Sequence, residues 1–324
     1  MRAVVLREFG QPRVLVAEEV PDPVVGPGQA LIRVVAASVV FVETQVRAGN
    51  GPNPALAPTL PVIPGNGVGG VVIGVGSGVD HALIGSRVVA TTGGTGGYAE
   101  LAAVDAAELL AVPDGLELAD AVALLADGRT AVGLVRATAP QAGEWVLVEA
   151  AGGGVGSLLV QLVRNSGARV IAAASSQDKL RLAQRLGADV TVDYTAADWP
   201  DRVRAATGGI GVDVVFDGVG GDIGRAALDL LRDGGRFCAM GMAGGAMTVP
   251  AKDDVQRRGL RVVGLGSFSR SPADIRELAR VALGEAATGR LRPTIGQTFP
   301  LDAAAEAHAA IEARTTVGKT LLIP

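Results

Sequence analysis

The chain has 324 residues, of which 48% are hydrophobic and 19% charged, and its formal net charge is −4. This length and balance predict about two globular domains and exclude a strongly basic nucleic-acid-binding protein, because phosphate binding needs a concentrated basic face. The single cysteine excludes an intramolecular disulfide and a four-cysteine zinc site, so we expect a soluble protein of a reducing compartment, the cytoplasm.

The first third of the chain is rich in short β-type runs. Such runs, each bounded by Gly, Pro or Asp, occupy Ala3–Leu6, Ala30–Ala36, Val68–Val75 and Arg87–Ala90. They predict an antiparallel, barrel-like β domain. The opening residues are too few and too charged for a signal peptide, and Gly and Pro interrupt the uncharged segment 51–79, so we expect no membrane helix. The Pro-rich residues 51–64 are predicted to form a loop.

Helical and strand patterns alternate from residue 118 onward. A helix is predicted over Leu118–Ala126, ending at Asp127-Gly128, with Asp127 capping a second helix over Arg129–Thr138. Strands are predicted at 145–149, 169–174, 190–192, 212–216, 236–240 and 260–265, with helices at 155–166 and 177–186. This alternation predicts a doubly wound parallel sheet of Rossmann type.

The tail from residue 273 is predicted to contain a helix, a short loop and a second helix with His308 on its surface. It ends in the strand Lys319–Ile323, which we expect to pair with the first domain.

A glycine-rich sequence joins the first strand of the second region to its helix. Such glycines bind a dinucleotide when they lie between a buried strand and an amphipathic helix, as they do here. The predicted pyrophosphate site consists of Gly152, Gly153, Gly154, Val155 and Gly156. Gly153 allows the backbone to approach the ligand, Gly156 allows helix and strand to pack closely, and the helix N-terminus supplies N–H donors.

The end of the next strand favours NADPH over NADH. An NAD site places Asp or Glu about 20 residues after the glycines, where it binds the ribose 2′-OH, whereas this chain has Ala174 there. Ser175 and Ser176 can donate hydrogen bonds to a 2′-phosphate, and Lys179 adds a positive charge. The alternative for this pattern is an ordinary helix cap. Tyr194 can reach the same phosphate, or it is a half-buried core residue.

Over nearly its whole length the chain resembles the zinc-independent quinone oxidoreductase-like group of the medium-chain dehydrogenase/reductase superfamily. The resemblance is carried by the glycine loop and by segments at 1–10, 20–29, 85–89, 96–100, 112–115, 187–189, 214–220 and 318–324. It implies an α/β protein with a GroES-like β-barrel domain, residues 1–122 completed by 271–324, and a Rossmann NADPH-binding domain, residues 123–270. The implied active site lies in the cleft between them.

The same resemblance implies further cofactor contacts and an assembly. Contacts along the adenosine and nicotinamide are implied for Val219, Gly241, Met242, Leu265, Gly266 and Ser267, with Thr130 beside the nicotinamide. A homodimer is implied through the edge strand of the Rossmann sheet, Leu260–Leu265.

Zinc-dependent relatives carry metal ligands at three positions that are Val40, Asn66-Gly67 and Ala126 in this chain. These residues do not form a zinc donor set, so we expect no metal. Quinone oxidoreductases usually have Asn at the Val40 position and Tyr at the Gln45 position. Because of these two differences, the substrate can be either a quinone or an enone.

Hydride transfer without a metal requires hydrogen-bond donors that stabilise charge on the substrate oxygen. Candidates are Gln45, Thr130, Arg129 and Asn66, with Phe41 as an apolar wall. Their structural alternatives are helix packing for Thr130, a salt bridge to Asp127 or Glu43 for Arg129, a turn contact for Asn66 and a core position for Phe41. The sequence thus predicts an NADPH-dependent reductase of a small quinone or conjugated enone, with no nucleic-acid or membrane partner. An enoyl-thioester reductase and a dinucleotide-binding protein with little catalysis are the alternatives.

Overall fold

The computed structural model describes residues 1–51, 53, 57–268 and 271–324. They form two compact units: unit 1 comprises residues 1–126, 282–288 and 293–324, and unit 2 comprises residues 127–281 and 289–292. The loop predicted at 51–64 lies partly outside the described residues, at Pro52 and 54–56, and its described part contains no strand longer than an isolated bridge.

The elements follow the alternation expected from the sequence. The strands are β1 (Arg2–Leu6), β2 (Leu15–Glu19), β3 (Gln29–Val39), β4 (Gly67–Val75), β5 (Arg87–Thr91), β6 (Leu101–Asp105), β7 (Leu110–Ala111), β8 (Trp145–Val148), β9 (Arg169–Ala174), β10 (Val190–Asp193), β11 (Val212–Asp217), β12 (Leu231–Ala239), β13 (Arg261–Gly264), β14 (Ile295–Pro300) and β15 (Lys319–Ile323). The helices are α1 (Phe41–Arg47), α2 (Leu118–Thr138), α3 (Gly154–Asn165), α4 (Gln177–Arg185), α5 (Trp199–Ala206), α6 (Gly221–Leu230), α7 (Lys252–Arg257), α8 (Pro272–Ala287) and α9 (Ala304–Glu312). Among the described residues, no helix combines the length and the apolar character needed to cross a bilayer.

Unit 1 is built on β-sheet. Strands β1 and β2 pair antiparallel, and a seven-stranded sheet has the order β14-β15-β3-β4-β5-β7 with β6 paired to β3. Buried side chains alternate along β3, which points one face of that sheet at the core. Ile32, Val68 and Leu322 are among the fully buried residues of this core.

Unit 2 contains a six-stranded parallel sheet with the order β10-β9-β8-β11-β12-β13. Numbered within the unit, this is the order 3-2-1-4-5-6 of a Rossmann fold, so the predicted doubly wound sheet is confirmed. Its neighbouring strands β8 and β9 are almost continuously apolar and buried, because helices cover both faces of such a sheet. The strand order reverses between β8 and β11, and ligands of open α/β sheets bind at the carboxyl ends beside this point.

The predicted break at Asp127-Gly128 is wrong, because α2 runs without interruption from Leu118 to Thr138. Asp127 is buried inside the helix and does not cap a second one. A glycine in a helix interior costs only about 1 kcal/mol relative to alanine. Packing compensates here: the Asp127 carboxylate lies over Gly154, where a Cβ would overlap its Oδ2 atom.

The prediction for the tail is wrong in two respects. Between the two helices lies a strand, β14, which pairs in parallel with β15, and its alternating half-buried and exposed residues give a weak sequence pattern. His308 is not at the surface: it is fully buried on α9. The predicted return of the last strand to the first domain is confirmed, since β15 pairs antiparallel with β3.

Candidate cofactor and substrate sites

The glycine loop connects β8 to α3 at the point where the strand order reverses. Gly153 is the N-cap residue of α3, and no side chain caps the helix there. The N-cap residue therefore does not cap the helix itself, and the first N–H groups and the helix dipole together favour an anion at this end. A Cβ on Gly153 would approach only the Ala150 carbonyl oxygen, at 3.3 Å, so no other protein atom crowds this residue.

Two further glycines of the loop, Gly152 and Gly156, are required by close packing. A Cβ on Gly156 would lie 2.8 Å from the carbonyl carbon of Ala150, so only glycine lets α3 approach the end of β8. A Cβ on Gly152 would lie 3.0 Å from Cα of Lys179. The start of α4 is thus packed directly on the loop, and the stem of Lys179 covers Gly152.

The end of β9 lies beside this packing contact. Ala174 is fully buried and is the last residue of β9, so no carboxylate stands there. Ser176 is the N-cap residue of α4, but its side chain makes no capping hydrogen bond, which argues against the ordinary helix-cap alternative. The backbone N–H of Tyr194 donates to the Ala174 carbonyl at 3.2 Å. Ser175, Ser176 and Tyr194 therefore follow the ends of two neighbouring strands.

The loops after β11 and β12 form the opposite edge of this region. The Val219 carbonyl accepts a hydrogen bond from the Gly244 N–H at 2.6 Å, and the Gly241 N–H donates to the Asp217 carbonyl at 3.2 Å. Met242 accepts from the Gly245 N–H at 2.8 Å. These backbone contacts hold the two loops against each other at the carboxyl ends of adjacent strands.

Two buried carboxyl groups that we did not predict lie beneath these loops. Glu149 directly follows β8 and Asp217 ends β11, and both are fully buried. Asp217 Oδ1 accepts from the N–H groups of Val219 at 3.0 Å and Gly220 at 2.6 Å. Neither Glu149 oxygen has a hydrogen-bond donor in bonding geometry among the described residues. The sequence signal that could have identified Glu149 and Asp217 is their position at the ends of the apolar runs 146–148 and 214–216.

The environment of Glu149 favours its protonated form. Burial raises the pKa of the Glu149 carboxyl well above its ordinary value, and the hydrogen-bonded Asp217 carboxyl raises it further. A neutral Glu149 avoids placing a second negative charge beside the Asp217 carboxyl in a site that water does not reach.

A pocket of about 320 Å³ lies beside Thr130 in unit 2. Its lining residues are Arg129, Thr130, Leu265, Gly266, Phe268, Ile275 and Leu278. The Phe268 ring packs on Gly133, where a Cβ would overlap the ring. Ser267 lies in the same turn and its hydroxyl accepts from the Gly264 N–H at 3.1 Å. The structure thus brings Arg129, Thr130, Leu265 and Gly266 together, as expected for residues at one site.

The other candidates lie around α1 in unit 1. The Gln45 side-chain amide donates to Thr44 Oγ1 at 3.1 Å, and Asn66 Oδ1 accepts from the Gly94 N–H at 2.7 Å. The turn contact considered for Asn66 is therefore present. Phe41 is 37% exposed, so the core alternative for this residue is wrong.

Glu43 organises the residues around α1. Its carboxylate accepts from the N–H groups of Val40 and Asn66, both at 2.8 Å, and from the Tyr98 hydroxyl at 3.0 Å. Burial raises the pKa of Glu43, and the Val40 N–H and the Lys319 charge act against this rise. The Tyr98 hydroxyl also contacts His308 Nε2 at 3.0 Å.

His308 is kept neutral in this network. Burial lowers the pKa of His308 to about 3, and the positive charge of Arg47 contributes in the same direction. We assign the proton to Nε2, because the Tyr98 hydroxyl must donate to Glu43 and can then only accept from His308. No local sequence pattern predicts this contact, which joins residues 210 positions apart.

Among the described residues, no group of three or more His, Cys, Asp or Glu side chains is arranged to hold a metal ion. Val40 and Asn66 border the Glu43 network, and the Asn66 side-chain oxygen is occupied by Gly94.

Two family models match the chain. The alcohol dehydrogenase GroES-like domain matches residues 26–114, and the family described as zinc-binding dehydrogenase matches residues 154–283.

Full-length relatives give a closer comparison. The chain is 35% identical to a 2-haloacrylate reductase from Burkholderia sp., with 99% of this chain and 98% of the relative covered. It is 34% identical to a quinone oxidoreductase from Pseudomonas aeruginosa, with 98% and 97% covered. The crystal structure of Escherichia coli quinone oxidoreductase complexed with NADPH is 29% identical, covers both chains completely and superposes with a TM-score of 0.91.

Proposed function

Because the chain belongs to the quinone oxidoreductase-like group of the medium-chain dehydrogenase/reductase superfamily, we propose that it is an NADPH-dependent reductase of quinones or α,β-unsaturated carbonyl compounds. The observation that carries this proposal is the end of β9, where a buried alanine replaces the expected acid and Lys179 packs on the glycine loop. An NADPH-bound relative with the same fold supports the cofactor.

The residues of unit 2 fit this cofactor. Gly153 leaves the N-terminus of α3 open to a pyrophosphate, and Gly152 to Gly156 supply the backbone around it. We propose that Ser175, Ser176, Lys179 and Tyr194 hold the 2′-phosphate, because a phosphate dianion needs donors and positive charge where an NAD site has a carboxylate.

When bound, NADPH supplies the hydride that reduces the substrate. The protein must orient the acceptor and stabilise the negative charge that develops on its oxygen. The Gln45 amide donates one of its two N–H bonds to Thr44 and keeps the other for a substrate oxygen. Asn66 likewise keeps its NH₂ group, because its contact with Gly94 uses only the oxygen. Phe41 offers the substrate an apolar contact, and Thr130 offers it a hydroxyl group.

We extend the proposal to catalysis without zinc, because the positions that carry ligands in zinc-dependent relatives are Val40, Asn66-Gly67 and Ala126. Incubation with a chelator followed by gel filtration is expected to leave NADPH oxidation unchanged. Activity that is lost on this treatment and regained with zinc would contradict this part of the proposal.

We also propose a cytoplasmic homodimer. Strand β13 is the last strand of the parallel sheet as described, and Val262 and Leu265 at this edge are 46% and 44% exposed. Sedimentation should give the mass of two chains, and Val262→Asp should shift the equilibrium towards one chain. A monomeric wild-type protein would contradict this assembly.

The central experiment measures NADPH oxidation against quinones, enones and enoyl thioesters. Lys179→Ala should lower the NADPH-to-NADH ratio of kcat/KM about tenfold, because it removes a charge-assisted contact with the 2′-phosphate. Lys252→Ala is the matched control, since Lys252 is exposed on α7. An unchanged ratio in Lys179→Ala would contradict the cofactor site, and no oxidation with any acceptor would contradict the reductase.

A further inference from the structure

The pocket beside Thr130 combines apolar walls with one cation. Its walls are the side chains of Leu265, Phe268, Ile275 and Leu278, and among the described residues that line it Arg129 is the only charged one. At about 320 Å³ it lies at the small end of the range of ligand pockets, about 300–1,000 Å³. It therefore suits a small ligand that is mostly apolar.

A guanidinium in such surroundings favours an anionic partner. Its planar fork matches the two oxygens of a carboxylate, and charge-assisted hydrogen bonds gain strength where apolar walls exclude water. Arg129 already interacts within the protein, and a guanidinium, which carries five N–H donors, can bind a carboxylate while it keeps an internal contact. Arg129 is half-buried, which leaves part of its side chain accessible from the pocket.

From this arrangement we infer that Arg129 makes the enzyme selective for small α,β-unsaturated carboxylic acids, which it binds through their carboxylate. The inference rests on the proposed function and narrows its substrate class. The relative named 2-haloacrylate reductase acts, by that name, on a compound of this class.

The chemistry of such an acid gives Arg129 a second task. A new C–H bond forms at the β carbon with the electron pair of the hydride from the reduced nicotinamide, which is oxidised. The π pair of the alkene moves towards the carboxylate, which then carries nearly two negative charges, and a proton from water completes the α carbon. Neutral donors suffice for the single charge of an enone, whereas the doubly charged species needs a cation. Arg129 is therefore a contact for the bound acid and for the charge that develops on it.

The test compares 2-chloroacrylate with its neutral isostere 2-chloroacrylamide in two measurements. Binding to the NADP⁺ complex is measured by calorimetry, where no hydride is available, and kcat/KM is measured with NADPH. In Arg129→Met the affinity for the acid should fall about 10- to 100-fold while that for the amide changes less than about threefold. Arg129→Lys should give an intermediate loss. Arg136→Met, an exposed position two turns further along α2, is the matched control and should change neither ligand.

The test of the inference is the ratio of the affinities for the acid and the amide, compared between the wild type and the variants; turnover is not needed for it. The inference is overturned if the wild-type complex does not bind 2-chloroacrylate, if Arg129→Met weakens acid and amide equally, or if Arg136→Met has the same effect. Should Arg129→Met fail to fold, the ratio in Arg129→Lys decides. Oxidation of NADPH by quinones or neutral enones with no preference for the acid overturns only this inference. Absence of oxidation with every acceptor overturns the proposed function.

Discussion

Each unit has a glutamate withdrawn from solvent, half-buried Glu43 in unit 1 and fully buried Glu149 in unit 2, and the two side chains have opposite surroundings. In unit 1 the Glu43 carboxylate accepts hydrogen bonds from two backbone N–H groups and the Tyr98 hydroxyl. In unit 2 Glu149 faces a second carboxyl group and has no donor among the described residues. A buried carboxylate with several donors can stay ionised, whereas one beside another carboxylate must keep a proton. The comparison shows that burial alone does not set the charge of an acid.

The two networks should also respond to pH in opposite directions. In unit 1 the group with the lowered pKa is His308, at about 3, which must stay neutral to remain buried. In unit 2 the group with the strongly raised pKa is Glu149, which must keep its proton. Protonation of His308 in acid should therefore destabilise unit 1, and ionisation of Glu149 in alkali should destabilise unit 2.

The largest effect is expected from Asp217→Ala. This change leaves the buried N–H groups of Val219 and Gly220 without an acceptor and Glu149 without its partner. We expect a loss of about 2–5 kcal/mol in the free energy of unfolding, measured in urea. Asp217→Asn keeps an acceptor oxygen and should lose clearly less. Equal losses in the two variants would show that the backbone contacts do not matter.

Tyr98→Phe removes only the hydroxyl that joins Glu43 to His308. The ring should keep its place, since it is fully buried and packs against Gly65. Loss of the hydroxyl leaves both neighbours one hydrogen bond short, and we expect unfolding to become easier by about 1–3 kcal/mol. A loss below about 0.5 kcal/mol would indicate that water replaces the hydroxyl.

Glu149→Gln should remove a pH dependence from unit 2. The pKa of Glu149 is higher in the folded chain than its ordinary value of 4.5, so its contribution to stability is complete below the unfolded pKa. That contribution is lost as pH rises towards the folded pKa, by at most about 1.4 kcal/mol per pH unit. Gln mimics the protonated acid, so the variant should gain on the wild type between pH 5 and 8 in urea titrations. Glu277→Gln, at an exposed position, is the control. Parallel curves for Glu149→Gln and wild type would contradict the raised pKa of Glu149.

His308→Gln should change the pH dependence of unit 1 with the opposite sign. The folded pKa of His308, about 3, lies below its ordinary value of 6.5, so the unfolded chain binds the proton first. Stability that is present above pH 6.5 is lost as pH falls towards 3, again by at most about 1.4 kcal/mol per pH unit. The variant lacks this slope, while His81→Gln, at an exposed position, should keep it. The same acid sensitivity in all three proteins would contradict a buried neutral imidazole.

Sequence reasoning succeeded where the determining pattern is local. A strand, a glycine turn and a helix occupy adjacent residues, so the loop at Gly152–Gly156 and the missing acid at Ala174 could be recognised before any contact was known. The parallel strands of unit 2 are apolar and regularly spaced, and this predicts their fold. The family resemblance supplied residues such as Val219 and Met242, which no local pattern distinguishes.

The predictions failed where contacts between residues far apart in the chain determine the local structure. The sequence Asp127-Gly128 predicts a helix break. In the folded chain the helix continues, because Gly154 has no side chain and leaves space for the Asp127 carboxylate. His308 was predicted to be a surface residue because the sequence does not show its hydrogen-bond partner Tyr98, which lies between β5 and β6, 210 positions earlier in the chain. Buried polar groups depend on partners that only the folded chain brings near, so single-sequence patterns do not contain them.

The position of β15 has a consequence for synthesis. This strand lies between β14 and β3, so the sheet begun by residues 29–39 is completed by residues 319–323. A ribosome finishes unit 2 before it has made either closing strand, and during that interval residues 37–39 of β3 have no partner on the edge whose residues 29–33 pair with β6. The sheet of unit 1 therefore stays incomplete, with an exposed strand edge, while unit 2 folds. A chaperone that covers strand edges would act in that interval.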